Sequence, residues 1–163
     1  MGELVKIFIS YSWNNEIEAD KIDRAFKNRG IVLTRDKRQL EYKQSIQDFM
    51  KSIRTHDYAI LLISHDYLTS ENCMYEFLEI FKEEDVMKKI LPVILTDYFF
   101  DSSFKMKYIK YWNKKVNEIK NKIDEMYREG LLEHLGDEAK KLKKYQKISL
   151  EIPDIIENLQ TKK

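Results

Sequence analysis

The stretch YAILLIS, residues 58–64, decides the fold. Its apolar run is continuous rather than alternating, the mark of a strand covered on both faces, and it is short enough to be a strand rather than a helix. A polar loop follows, and then CMYEFLEIFKEE, residues 73–84, whose apolar residues fall at helical spacing. Strand, loop and helix in that order form half of a parallel crossover unit.

Working outward, the same unit recurs. LVKIFISY (4–11) is a β-branched and aromatic run, and EIEADKIDRAFKNRG (16–30) after it carries helical spacing at Ile17, Ile22, Ala25 and Phe26, closed by Gly30. IVLTR (31–35) reads as a strand, DKRQLEYKQ (36–44) as a polar loop, SIQDFMKSIR (45–54) as a helix, and ILPVILT (90–96) as a further buried strand. The alternation predicts an α/β, flavodoxin-like, doubly wound parallel sheet of four to five strands, in order 2-1-3-4, with flanking helices. From Ile109 the texture changes. Trp112, Val116, Ile119, Ile123 and Met126 recur at steps of three and four, predicting one long helix whose seam packs within the domain. IPDIIENL (152–159) reads as a short closing helix with Pro153 in its first turn, which completes a long C-terminal helical extension. Residues 1–163 are expected to form a single domain, a βα core to about residue 100 and a helical part from about 104. We expect the chain to be the N-terminal part of a larger protein.

Composition narrows the function classes. With 163 residues, 43% hydrophobic and 35% charged, the chain can bury a sizeable core under a charged shell. A formal net charge of +1 gives no field to recruit nucleic acid or an anionic membrane. The apolar run near the start is too short for a membrane span. The lone Cys73 has no disulfide partner, and no Cys or His cluster has metal-ligand spacing, so a reducing cytoplasmic setting without a metal is expected. The four glycines, at positions 2, 30, 130 and 136, allow neither GxGxxG nor GxxxxGK[ST], which removes dinucleotide dehydrogenases and P-loop kinases. His56, His65 and His134 stand apart from any catalytic arrangement visible in sequence.

In strand order 2-1-3-4 the chain departs to opposite sides after strands 1 and 3, and ligands of such sheets bind at the carboxyl ends of those strands. Ser10, Ser12, Trp13, Asn14, Ser64, Tyr67 and the start of the helix carrying Glu76 line that crevice. Hydroxyls, an indole and a carboxylate suit a ribose and a flat base better than a bare phosphate. On the helix, Ile80, Cys73, Phe77, Phe81, Met74 and Leu78 make one broad apolar arc at about 100° per residue, with Glu76 just past its edge. Periodicity alone leaves Glu76 either the first residue of the wet face or a partly desolvated working carboxylate.

KIFISYSWNN (6–15), GIVLTRDKRQLEYKQSI (30–46), AILLISHDYLTSENCMYEF (59–77) and ILPVIL (90–95), in this order, resemble a Toll/interleukin receptor (TIR) domain of the kind found in bacterial defence proteins. YIKYWNKKVNEI (108–119) and IPDIIENL are similar to the C-terminal part of bacterial TIR domains fused to nucleotide-binding, STAND-like signalling modules. The resemblance implies an NAD glycohydrolase, with NAD as substrate and no cofactor, acting in antiphage signalling. It assigns the catalytic role to Glu76 and the lining of the NAD site to Tyr11, Ser12, Trp13, Glu41, Asn72 and Cys73. It further implies self-association through the BB loop, residues 36–45, with Asp36, Leu40 and Lys43 in the contact. Two positions depart from the pattern. Asn72 stands where many active relatives have Trp, and Lys43 where relatives often have Gly. These departures keep a non-catalytic TIR–TIR interaction module as the alternative.

Overall fold

The computed structural model describes residues 5–35, 45–97, 99 and 101–161, with the side chains of 45–49 excepted. Its contacts divide into two compact units, 1–97 and 98–163. The first unit is a four-stranded parallel sheet, β1 (Ile7–Ser10), β2 (Leu33–Arg35), β3 (Tyr58–Ile63) and β4 (Ile90–Ile94), in the order β2-β1-β3-β4. Register pairs Ile7 with Leu33 and with Tyr58, and Ala59 with Ile90. The central strands β1 and β3 are buried almost throughout, as their unbroken apolar runs require. The sheet order expected from sequence is therefore observed, and no fifth strand occurs among the described residues.

The helices of this unit are α1 (Glu16–Lys27), α2 (Ser45–Thr55), α3 (His65–Leu68), α4 (Glu71–Phe81) and α5 (Glu84–Met87). α1 carries the chain from β1 outward to β2, whereas α2 returns it past β1 to β3 and α4 continues in that direction. Right-handed crossovers then put α1 on one face of the sheet and α2 with α4 on the other. Gly30, at φ +81°, ends α1 as anticipated. The Ile31 N–H donates to the Phe26 carbonyl at 2.9 Å and the Gly30 N–H to that of Lys27 at 3.0 Å, a Schellman closure that needs a left-handed residue.

Several expectations are corrected. On α1 the seam is Ala19, Ile22 and Phe26, whereas Ile17 is 68% exposed and Ala25 is exposed. At 100° per residue Ile17 lies about 160° from Ala19, on the opposite side of the helix. β4 is not sealed on both faces, since Leu91 is exposed and Pro92, Val93 and Ile94 are half-buried. It is an edge strand, which also explains why Pro92, without an N–H, is tolerated there. The expected single helix over 73–84 is two helices, α4 starting earlier at Glu71 and α5 following, with the one-turn α3 in what reads as a loop.

The second unit is a pair of long helices, α6 (Ser102–Arg128) and α7 (Leu135–Thr161), packed on each other. The seam on α6 begins before the expected Ile109: Phe104, Tyr108, Trp112 and Val116 are buried, and Ile119, Ile123 and Met126 continue it half-buried. Aromatic contacts tie the pair, with Trp112 and Tyr145 at 5.8 Å between ring centroids. The closing helix is not short, because α7 runs 27 residues straight through Pro153. A helix-interior proline costs about 3 kcal/mol, while each fully buried Ile contributes about 1.5–3 kcal/mol. Ile148 and Ile152 before the proline and Ile155, Ile156 and Leu159 after it are all buried, so burial outweighs the break. Among the described residues no helix is long and apolar enough to cross a membrane.

Candidate functional site at the carboxyl ends of β1 and β3

β1 ends at Ser10, which pairs in register with Leu61, and β3 runs two residues further to Ile63. After β1 come Tyr11, Ser12 and a 3-10 turn over Trp13–Asn15 that leads into α1. After β3 come Ser64, α3 and, behind Ser70, α4. Ser64 and Ser70 are both helix N-caps. Ser64 Oγ accepts the Tyr67 N–H at 3.0 Å, and Ser70 Oγ accepts the Cys73 N–H at 3.2 Å.

Side-chain alternation separates the two faces at this end of the sheet. Ile7, Ile9 and Tyr11 join Ala19, Leu33, Ile60 and Leu62 in one apolar cluster on the α1 side. Phe8 meets the His56 ring instead, and Ser10 Oγ lies 3.4 Å from the Tyr67 hydroxyl. Tyr11 is thus buried on the α1 side, held by the last residue of β2. Its hydroxyl accepts from Arg35 Nε at 3.2 Å and Arg35 Nη2 at 3.0 Å. Arg35 also binds Asp20 at 2.5 Å, with Asp23 at 3.7 Å and Glu16 at 3.9 Å. Burial works against the charge of Arg35, but the bonds to Asp20 and Tyr11 outweigh it and hold the guanidinium pKa above its ordinary value. Sequence reading did not single out Arg35. Its signal was the acidic stripe Glu16, Asp20 and Asp23, spaced four and three along α1, which needs a cation opposite.

Ser12 is buried, and its side chain makes no capping bond to the turn it opens. Trp13, the next residue, is 53% exposed. Asn15 occupies the N-cap position of α1, yet its side chain does not cap the helix. It accepts instead from Ser64 Oγ at 2.6 Å, a buried bond between the turn after β1 and the residue after β3. Asn15 is another residue that sequence reading passed over, because a polar residue before a helix ordinarily reads as a cap.

On α4 the apolar arc is realised, with Cys73, Met74, Phe77, Leu78 and Ile80 buried and Phe81 half-buried. Glu76 is buried with them, at 9% exposure. It is therefore not where the wet face begins. At that depth little water screens a side chain, so a carboxylate there acts strongly on any charge beside it. Cys73 is buried with its backbone N–H on the Ser70 cap, while Asn72 is exposed. Asp36, Leu40, Glu41 and Lys43, the remaining expected site and contact residues, lie outside the described residues.

The family model for the TIR domain matches residues 7–126, which include all four strands and most of α6. The chain belongs to the TIR domain family. Among solved structures this TIR domain is similar to the TIR domains in the structure of the activated Roq1 resistosome directly recognizing the pathogen effector XopQ. Identity is 19% over 93% of this chain and 84% of that one, with a TM-score of 0.51, a likeness that shows the fold. No curated protein matches the chain. Within the TIR domain, the residues that the structure gathers at the ends of β1 and β3 are Ser10, Ser12, Asn15, Ser64 and Tyr67, with Trp13 on the outside of the turn. Tyr11 stands behind this turn on the α1 side. No group of His, Cys, Asp or Glu among the described residues is arranged to hold a metal ion.

Proposed function

We propose that this TIR domain is an NAD glycohydrolase in which Glu76 is the catalytic carboxylate. The observation that carries the reading is the burial of Glu76 on α4, the second helix after the end of β3, where doubly wound sheets bind ligands. Nicotinamide in NAD is a pyridinium and departs as a neutral molecule, so no general acid is required. The C1′–N bond breaks with its electron pair going to nicotinamide, and an oxocarbenium-like ribose develops. Ordinary glycosidases use two carboxyls because an alcohol must be protonated as it leaves. Here one desolvated carboxylate facing the ribose stabilises the developing cation by preorganised electrostatics. Water then adds to C1′ and loses a proton, giving nicotinamide, ADP-ribose and H⁺. Attack by an atom of the ADP-ribose itself would give a cyclic isomer.

In this reading the Ser12 hydroxyl, not used to cap its turn, is offered to the sugar, and the exposed face of Trp13 to a flat base. Tyr11 supports the turn from behind, and Glu41, Asn72 and Cys73 complete the proposed lining. The proposed setting is antiphage signalling in the bacterial cytoplasm, within a STAND-like protein. Contacts between TIR domains through residues 36–45, including Asp36, Leu40 and Lys43, assemble the active state. A second reading, a non-catalytic TIR–TIR interaction module, is favoured by one observation. Asn72, standing where many active relatives have Trp, is exposed. Chromatography of nicotinamide after incubation with NAD under enforced clustering separates the two, with Glu76→Gln as control. Turnover that the control lacks supports the enzyme, and equal traces in both leave the assembly role.

A further inference from the structure

A closed ring of polar contacts joins the turn after β1 to the start of α3. Ser10 Oγ lies 3.4 Å from the Tyr67 hydroxyl, and the Tyr67 N–H donates to Ser64 Oγ at 3.0 Å. Ser64 Oγ–H donates to Asn15 Oδ1 at 2.6 Å, and the Asn15 N–H returns to the Ser12 carbonyl at 2.8 Å. Two residues of backbone from Ser12 to Ser10 close the circuit. Ser10, Ser12, Asn15, Ser64 and Tyr67 are all buried. Buried bonds in a continuous circuit are shielded from competing water and reinforce one another.

The ring has one short cross-link. β1 and β3 are zipped by backbone pairing as far as Ser10 and Leu61, and beyond that register the Ser64–Asn15 bond, at 2.6 Å, ties the two departing segments more closely than the 3.4 Å contact of Ser10 with Tyr67. Asn15 gives up the ordinary capping bond of α1 to make it. A forgone cap costs about 1 kcal/mol, which the cross-chain bond must offset. We propose that Asn15 and Ser64 are positioning residues that fix the Ser12–Trp13 turn against the start of α3, and so set the width of the opening in which the dinucleotide lies. The proposal rests on the glycohydrolase reading for its substrate. The clamp joins the turn after β1 to the residue before α3, whereas Glu76 sits on α4, so its loss is expected to weaken dinucleotide binding more than it slows bond cleavage.

The test compares Asn15→Ala, Ser64→Ala and their double variant with the wild-type chain, clustered and supplied with NAD. Each single variant raises KM about tenfold with kcat within about threefold, a loss of about 1.4 kcal/mol in binding. The double variant is no worse than Ser64→Ala, since either change opens the same link. Ser64→Thr, which keeps a hydroxyl at the junction, recovers most of what Ser64→Ala loses. A readout independent of turnover comes from Trp13, which sits in the clamped turn while Trp112 is fully buried. The fluorescence anisotropy of Trp13 falls in Asn15→Ala, the constant signal of Trp112 serving as background. If the wild-type chain releases no nicotinamide, the glycohydrolase reading fails and the anisotropy alone decides the clamp. Wild-type anisotropy in folded Asn15→Ala overturns the proposal. So does additive loss in the double variant, or, where turnover is present, a KM that does not move.

Discussion

Replacing Arg35 with Met tests how the turn that bears Ser12 and Trp13 is supported from behind. The Arg35 side chain is 16% exposed and makes two bonds to the Tyr11 hydroxyl and one to Asp20. Met keeps much of the stem and removes the guanidinium. Hydrogen bonds to a charged group contribute about 1.5–3 kcal/mol each where partners are buried. The half-exposed Asp20 returns to water on losing its partner, so that pair is discounted to about 0.5–1 kcal/mol. The two bonds to Tyr11 share one acceptor and count once, at about 1.5–2 kcal/mol. The expected loss is therefore about 2–3 kcal/mol. It is read by urea unfolding followed by circular dichroism, with an unchanged dependence on denaturant. A cycle with Tyr11→Phe isolates the Arg35–Tyr11 share as a coupling of about 1 kcal/mol or more. A loss under about 0.5 kcal/mol in Arg35→Met, or a coupling near zero, would show that Tyr11 is held by apolar packing alone and would refute this account of the turn.

Further predictions concern charges elsewhere. Arg54 donates to Glu83 from Nε at 3.1 Å with a second, closer contact from Nη2, and that hydrogen bond holds the Glu83 carboxyl below its ordinary value of 4.5. A depressed carboxyl contributes stability that is full above about pH 4.5 and is lost as pH falls through the folded value, so Glu83→Gln should flatten the stability profile on the acid side of that point. Lys144 on α7 has its pKa lowered by burial. The cost of keeping it protonated is present below the folded value and is relieved as pH rises towards 10.5. Lys144→Met should therefore raise the melting temperature at neutral pH, and the gain should shrink in strongly alkaline buffer. An unchanged or lower melting temperature at pH 7 would show that the ammonium is stabilised where it stands.

How much of this was legible in the sequence follows from the range of the forces involved. β1 and β3 were readable because a strand covered on both faces must be apolar at every position, and their alternation with helices fixed the sheet order. The edge strand β4 was misjudged for the same reason in reverse, since its apolar residues look alike whether or not a neighbour covers them. On α1 the expected stripe is right at Ile22 and Phe26 but wrong at Ile17 and Ala25, because an exposed apolar residue weighs as much as a buried one in a periodicity, and it leaves out the buried Ala19. α7 was cut at Pro153 because the local cost of the proline is visible in sequence and the flanking buried isoleucines are a tertiary effect. At the site, periodicity put Glu76 at the edge of an apolar arc, and only packing could bury it. Arg35 and Asn15 escaped because each acts across the chain, Arg35 on Tyr11 and the acids of α1, Asn15 on Ser64.

The central claim is that the buried carboxylate of Glu76 promotes loss of nicotinamide from NAD. Its most direct test is nicotinamide release from millimolar NAD by the clustered chain and by Glu76→Gln, which keeps the shape and one acceptor oxygen while removing the charge. Removing one preorganised electrostatic group costs about 10²–10³ in kcat, so the account predicts release that falls at least a hundredfold in a variant as stable as the parent. Release that is equal in the two chains, or absent from both, would contradict it.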